Sequence, residues 1–106
     1  MAKILSLIIS KEQEKIEMAL NFSKRQKDAG NDIQVLFFGP SEKVLVENND
    51  LYEKVNNEFK EFKPSACIFI AEQVDKEGKL KKITNMVKGG GFITESIEKG
   101  YSVITF

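Results

Sequence analysis

Short apolar runs alternate with amphipathic stretches along the whole chain. Runs of this kind are typical of strands covered on both faces inside a parallel sheet, whereas apolar positions three and four residues apart indicate helices. The predicted strands are 4–9, 33–38, 66–71, 84–87 and 101–106. Strands that alternate with helices at this spacing are joined by right-handed crossovers. The pattern therefore predicts an α/β fold, with a sheet between two layers of helices.

Capping residues predict where the helices begin and end. A serine or aspartate followed three residues later by glutamine or glutamate is a capping box, which marks a helix start. Glycine in a left-handed conformation and proline both end helices. The predicted starts are Ser10 with Gln13, Ser41, and Asp50 with Glu53, and the predicted stops are Gly30, Pro64 and Gly100.

The length and charge balance of the chain limit what it can be. Its 106 residues match the usual size of one domain, so we expect a single domain over 1–106. Sixteen basic and sixteen acidic residues give a formal net charge of zero, so no global positive field attracts nucleic acid. We interpret the local basic segments 24–27 and 81–82 as solvated helix faces. We expect no nucleic-acid partner.

The chain has one cysteine, Cys67, and no histidine. Without histidine, the hydrolase triads and the histidine-ligated metal sites are excluded, and we expect neither a metal nor a cofactor. A single cysteine forms no internal disulfide, and the N-terminus lacks a signal-peptide pattern, so we expect a cytoplasmic protein. The apolar runs are far shorter than the roughly 20 residues that span a bilayer, so we expect no membrane association.

A candidate ligand pocket follows from the predicted sheet. In open α/β sheets, ligands bind beyond the carboxyl ends of the strands, where the strand order reverses. The residues that follow the predicted strands there are Ser10, Lys11, Gly39, Pro40, Ser41, Ala71, Glu72, Gly89, Gly90 and Gly91.

Three of these features have both a chemical and a structural interpretation. The glycines 89–91 precede a helix and could cradle an anion, or they could simply form a tight turn. Glu72 could act as an acid or base, or it could be a solvated loop residue. Cys67 could be a reactive thiol, but its apolar neighbours favour a buried core residue. In each case the sequence favours the structural interpretation.

Two segments give the chain a resemblance to the DsrE/DsrF-like family of sulfur-relay proteins. The segment 35–40, VLFFGP, is similar to the second strand of the family and the glycine turn after it. The segment 87–106 resembles the family's ending, in which a glycine turn, an apolar helix, a glycine and a final strand follow in order. In element order the resemblance covers nearly the whole chain.

The resemblance implies a three-layer α/β/α sandwich with a five-stranded, mainly parallel sheet, assembled as a homo-oligomeric trimer or hexamer. It also implies a cysteine at the end of the third strand that carries a persulfide and passes its sulfur to a relay partner protein. With a strand over 66–71, that position falls near Ile70 or Ala71. Cys67 is then about 10 Å too early and on the opposite face. Either the strand register differs, or the chain lacks the sulfur-carrying cysteine.

Three functional hypotheses follow. The first is a DsrE-like protein of sulfur metabolism that lacks the usual cysteine. The second is a non-catalytic member of the same fold that binds a small molecule or a protein. The third, which the residues favour least, is a nucleotide-binding domain that uses the glycine turn. Access to the thiol distinguishes the first two hypotheses.

Overall fold

Five strands and six helices alternate along the chain in the computed structural model, which describes residues 1–106. The strands are β1 (Lys3–Ile8), β2 (Asp32–Phe37), β3 (Ser65–Cys67), β4 (Asn85–Val87) and β5 (Ser102–Thr105). The helices are α1 (Gln13–Asp28), α2 (Pro40–Glu47), α3 (Asn49–Glu58), α4 (Ile68–Val74), α5 (Leu80–Ile83) and α6 (Gly89–Glu98).

All neighbouring strands pair in parallel, in the order β4-β3-β2-β1-β5. The chain moves outward from β1 to β4 and then returns to place β5 on the other side of β1. Right-handed crossovers in opposite directions put their helices on opposite faces. The helices α1 to α5 therefore cover one face, and α6 covers the other. The predicted three-layer α/β/α sandwich is confirmed.

The two faces of the sheet carry cores of different size. Alternate strand residues such as Ile8, Val35 and Phe37 pack with the helices α1 to α5 in a core of 16 buried residues. Leu5, Leu7 and Leu36 point to the other face, where α6 contributes the partly buried Phe92 and Ile93. The α6 layer is therefore thin, and a single helix shields its side of the sheet.

The third strand is much shorter than predicted. β3 ends at Cys67, and Ile68 begins α4, so the prediction of a strand over 66–71 was wrong. The neighbouring strands end at Phe37 (β2) and at Val87 (β4), so no strand lies beside 68–71 to continue either ladder. A short apolar run does not distinguish strand from helix by its periodicity.

All three predicted helix starts were also wrong, Ser41 among them, because Gly39 is the N-cap of α2. The Ser10 hydroxyl accepts from the Glu12 amide at 2.9 Å, and α1 begins only at Gln13. Ser10 therefore forms a turn before the helix instead of a capping box. Asn48, and not Asp50, caps α3, because its side chain accepts from the Leu51 amide at 3.0 Å.

Candidate functional site

Cys67 lies where β3 turns into α4. It is the last residue of the strand and the N-cap of the helix, and its side chain is 2% exposed. In the β2–β3 register, Ala66 pairs with Phe37 and faces the large core, so Cys67 faces α6. The only thiol of the chain is thus at the carboxyl end of the third strand, beneath the start of α6.

Gly89, the first residue of α6, packs directly on this position. A Cβ at Gly89 would lie 2.8 Å from two ring carbons of Phe38 and 3.0 Å from the Cβ of Cys67. Such distances are shorter than real side chains tolerate, so close approach requires glycine here. None of the three glycines has a positive φ, so they form the first helical turn and not a left-handed one.

Gly90 and Gly91 differ from Gly89 in their surroundings. Both are exposed, and a Cβ at either would meet nothing within 4 Å. The first helical hydrogen bond of α6 runs from the Phe92 amide to the Lys88 carbonyl, so the three glycine amides precede it. Amides in this position are suited to an anion.

Glu42, in the first turn of α2, is the most unusual group near Cys67. Its side chain is fully buried. The Gly39 amide donates to its Oε2 at a long 3.4 Å, and the backbone amide of Cys67 also faces the carboxyl group. Its Oε1 has no hydrogen-bond partner. Glu42 thus connects the turn after β2 with the turn after β3.

Burial raises the pKa of the Glu42 carboxyl to about 8. Removal from water disfavours the charged form, and the negative charge of Asp75 adds to this effect. The amides of Gly39 and Cys67 act in the opposite direction, but more weakly. Glu42 forms no salt bridge. The carboxyl is therefore mainly protonated at neutral pH.

The sequence missed Glu42, although two signals mark it. Gly39 is the N-cap of α2 and Pro40 its first residue, which puts Glu42 at the third helical position, where a glutamate reaches back to the cap. Glu42 also stands three residues before the buried Leu45, on the same helix face. The prediction that Ser41 caps α2 hid this spacing. Ser41 lies inside the helix, and its buried hydroxyl donates to the Ile8 carbonyl at 2.6 Å.

The remaining residues of the predicted pocket are not gathered around Cys67. Lys11 is exposed in the loop before α1. The prediction that Ala71 and Glu72 follow the third strand was wrong, because both lie within α4. Ala71 is buried, while Glu72 is exposed, and both border a small cleft of about 180 Å³ that Lys81 of α5 and Met86 of β4 also line. The structure therefore brings together Gly39, Glu42, Cys67 and Gly89.

The structure contains neither a cluster of metal-ligating side chains nor a membrane-spanning helix. No group of three or more cysteine, aspartate or glutamate side chains is arranged to hold a metal ion. None of the six helices has the length and apolar character needed to cross a bilayer.

Comparisons with known proteins show the fold alone. No protein-family model matches the chain, and no curated protein matches it. Among solved structures, it is similar to a conserved protein of unknown function, BT1422, from Bacteroides thetaiotaomicron. The TM-score is 0.81 at 14% sequence identity, and the alignment covers 98% of this chain and 95% of that one. The α/β architecture is therefore shared over almost the full length of both chains.

Proposed function

We propose that this chain is a DsrE-like cytoplasmic protein related to sulfur-relay subunits, and that Cys67 is its sulfur-carrying residue. One observation carries the proposal: Cys67 is the last residue of β3. The family resemblance implies a sulfur-carrying cysteine at the end of the third strand. The expectation that this position falls at Ile70 or Ala71 depended on a strand that runs to residue 71, and β3 ends before it.

The surroundings of Cys67 support sulfur carriage. The proposed step is attack by the Cys67 thiolate on the outer sulfur of a donor persulfide. A sulfur–sulfur bond forms at Cys67 while that of the donor breaks, and the donor leaves as a thiolate, so no external oxidant is needed. The glycine amides at the start of α6 are suited to hold the negative charge of the bound persulfide.

The burial of Cys67 favours a second candidate function. A thiol that is 2% exposed meets a donor only when the turn opens. A non-catalytic member of the same fold, which binds a small molecule or a protein, needs no such opening.

Exposure to a low-molecular-weight persulfide distinguishes the two candidates. The folded protein is incubated with glutathione persulfide, and the intact mass and the Cys67 peptide are then measured. We expect the mass of one added sulfur on Cys67, and none on the near-isosteric variant Cys67→Ser. A folded protein that stays unmodified, while the unfolded chain takes up sulfur, would support the non-catalytic candidate.

A further inference from the structure

Glu42 lies between the turn after β2 and the turn that contains Cys67. Its carboxyl contacts the Gly39 amide on one side and faces the Cys67 amide on the other. Cys67 is followed at once by α4, and α2 packs against α4. The Glu42 carboxyl therefore meets the residue that caps the start of α4.

The site accommodates a neutral carboxyl at a lower cost than a charged one. Oε1 is buried and accepts no hydrogen bond, and a buried carboxylate with a free oxygen is strongly destabilising. Water that entered to solvate the charged group would have to separate α2 from its neighbours.

The charged groups on the packed elements do not compensate a charge on Glu42. Asp75, at the end of α4, acts on Glu42 as a negative charge and raises the pKa of its carboxyl, and the Asp75 oxygens accept from the Lys79 and Leu80 amides. The ammonium of Lys79 donates to the Val46 carbonyl at 2.9 Å and lies over the ring of Tyr52 on α3. Lys79 is the cation that these contacts bring to α2, and its ammonium binds the Val46 carbonyl and the Tyr52 ring instead of Glu42.

We propose that Glu42 is a positioning residue that controls access to Cys67 through its proton. Protonated, it keeps α2 against the β3–α4 turn and the thiol stays closed. Ionised, it draws in water and releases the Cys67 amide, the β3–α4 turn opens, and Cys67 leaves its place beneath Gly89 and is exposed. This inference concerns the accessibility of the thiol and does not depend on sulfur carriage.

Linkage fixes the direction and the pH range of the effect. The carboxyl has a pKa of about 8 in the closed state, and in the open, solvated state its pKa returns towards the ordinary glutamate value of 4.5. Between these two values, the open population rises by up to about tenfold per pH unit, and above the upper value it levels off.

Labelling of Cys67 by iodoacetamide tests the proposal. The rate in the folded protein is measured from pH 5 to 9 and divided by the rate in the urea-unfolded chain, which corrects for the thiolate fraction. We expect protection to fall as the pH rises to about 8 and then to flatten. Glu42→Gln should remove this slope, whereas Glu72→Gln, an exposed glutamate on α4, should keep it.

Three results would overturn the proposal. The first is protection that does not change with pH in the wild type. The second is the same slope in Glu42→Gln. The third is an opening free energy equal to that of global unfolding at every pH, because Cys67 would then be exposed by unfolding alone. If Glu42→Gln does not fold, the wild type alone still tests the proposal. The pKa of the Glu42 carboxyl is then measured by ¹³C NMR, and the protection of Cys67 must stop falling at the pH that equals this pKa.

Discussion

Glu42 is the only aspartate, glutamate, lysine or arginine among the buried residues. An ionisable group without a cation is unusual in a core, and groups with shifted pKa values concentrate at functional sites. The Glu42 carboxyl lies near Cys67, the only cysteine of the chain, where the neighbouring strands β2 and β3 end. This combination distinguishes the region from the rest of the molecule.

We predict that Glu42→Gln stabilises the protein increasingly as the pH rises. The folded state raises the pKa of Glu42 from 4.5 to about 8. Protonation of Glu42 therefore makes its full contribution to the stability of the fold below pH 4.5. That stabilisation is lost between the two values. The difference in unfolding free energy between variant and wild type should grow by about 1.4 kcal/mol per pH unit in that range.

Urea denaturation of both proteins at pH 5, 6, 7 and 8 measures this difference. The other ionisable groups are the same in both proteins, so their contributions cancel when the two unfolding free energies are subtracted. The amide hydrogens of the variant add only an effect that does not depend on pH. A difference that stays constant across this range would contradict a buried, protonated Glu42.

At the scale of elements, the sequence predicts the long, strongly patterned segments best. The strands β1 and β2 and the helix α1 follow directly from their apolar patterns, and Gly30 ends α1 with a φ of 94° as expected. The error over 66–71 came from outside that segment, since β3 stops where the ladders with its two neighbours end, at Ala66 beside β2 and at Cys67 beside β4. The predicted sulfur position at Ile70 or Ala71 depended on this boundary and so on the same error.

The three glycines of α6 should respond differently to substitution. Gly89→Ala places a methyl group against the Phe38 ring and Cys67, and we expect a loss of about 1 to 3 kcal/mol from overpacking. Gly91→Ala meets open space and should leave stability unchanged or raise it by up to about 1 kcal/mol through helix propensity. Equal effects in urea denaturation would mean that α6 does not pack closely on Cys67.

At the scale of the whole molecule, the fold class was predictable, but which helices cover each face of the sheet was not. Alternating strands and helices predicted the sandwich, and the crossover rule explains the layers once the strand order is known. The sequence does not reveal that order, so it did not reveal that α6 alone would cover one face and reach Cys67.

We predict that the chain forms a homo-oligomer, a trimer or a hexamer, in line with the family resemblance. Several large apolar side chains are exposed, as expected for surfaces that another copy covers. They are Met18, Phe69, Ile97 and Ile104. Multi-angle light scattering at micromolar concentration should give three or six times the chain mass of 12.0 kDa, and the mass of a single chain would contradict the prediction.

The sulfur content of Cys67 in the native protein tests the central claim most directly. Folded protein and urea-unfolded protein are exposed to the same persulfide donor, and the fraction of Cys67 that carries one extra sulfur is measured by mass spectrometry. We predict that the folded protein acquires the sulfur on Cys67 and retains it after the donor is removed. If only the unfolded chain is modified, Cys67 is a core residue and the claim of sulfur carriage is wrong.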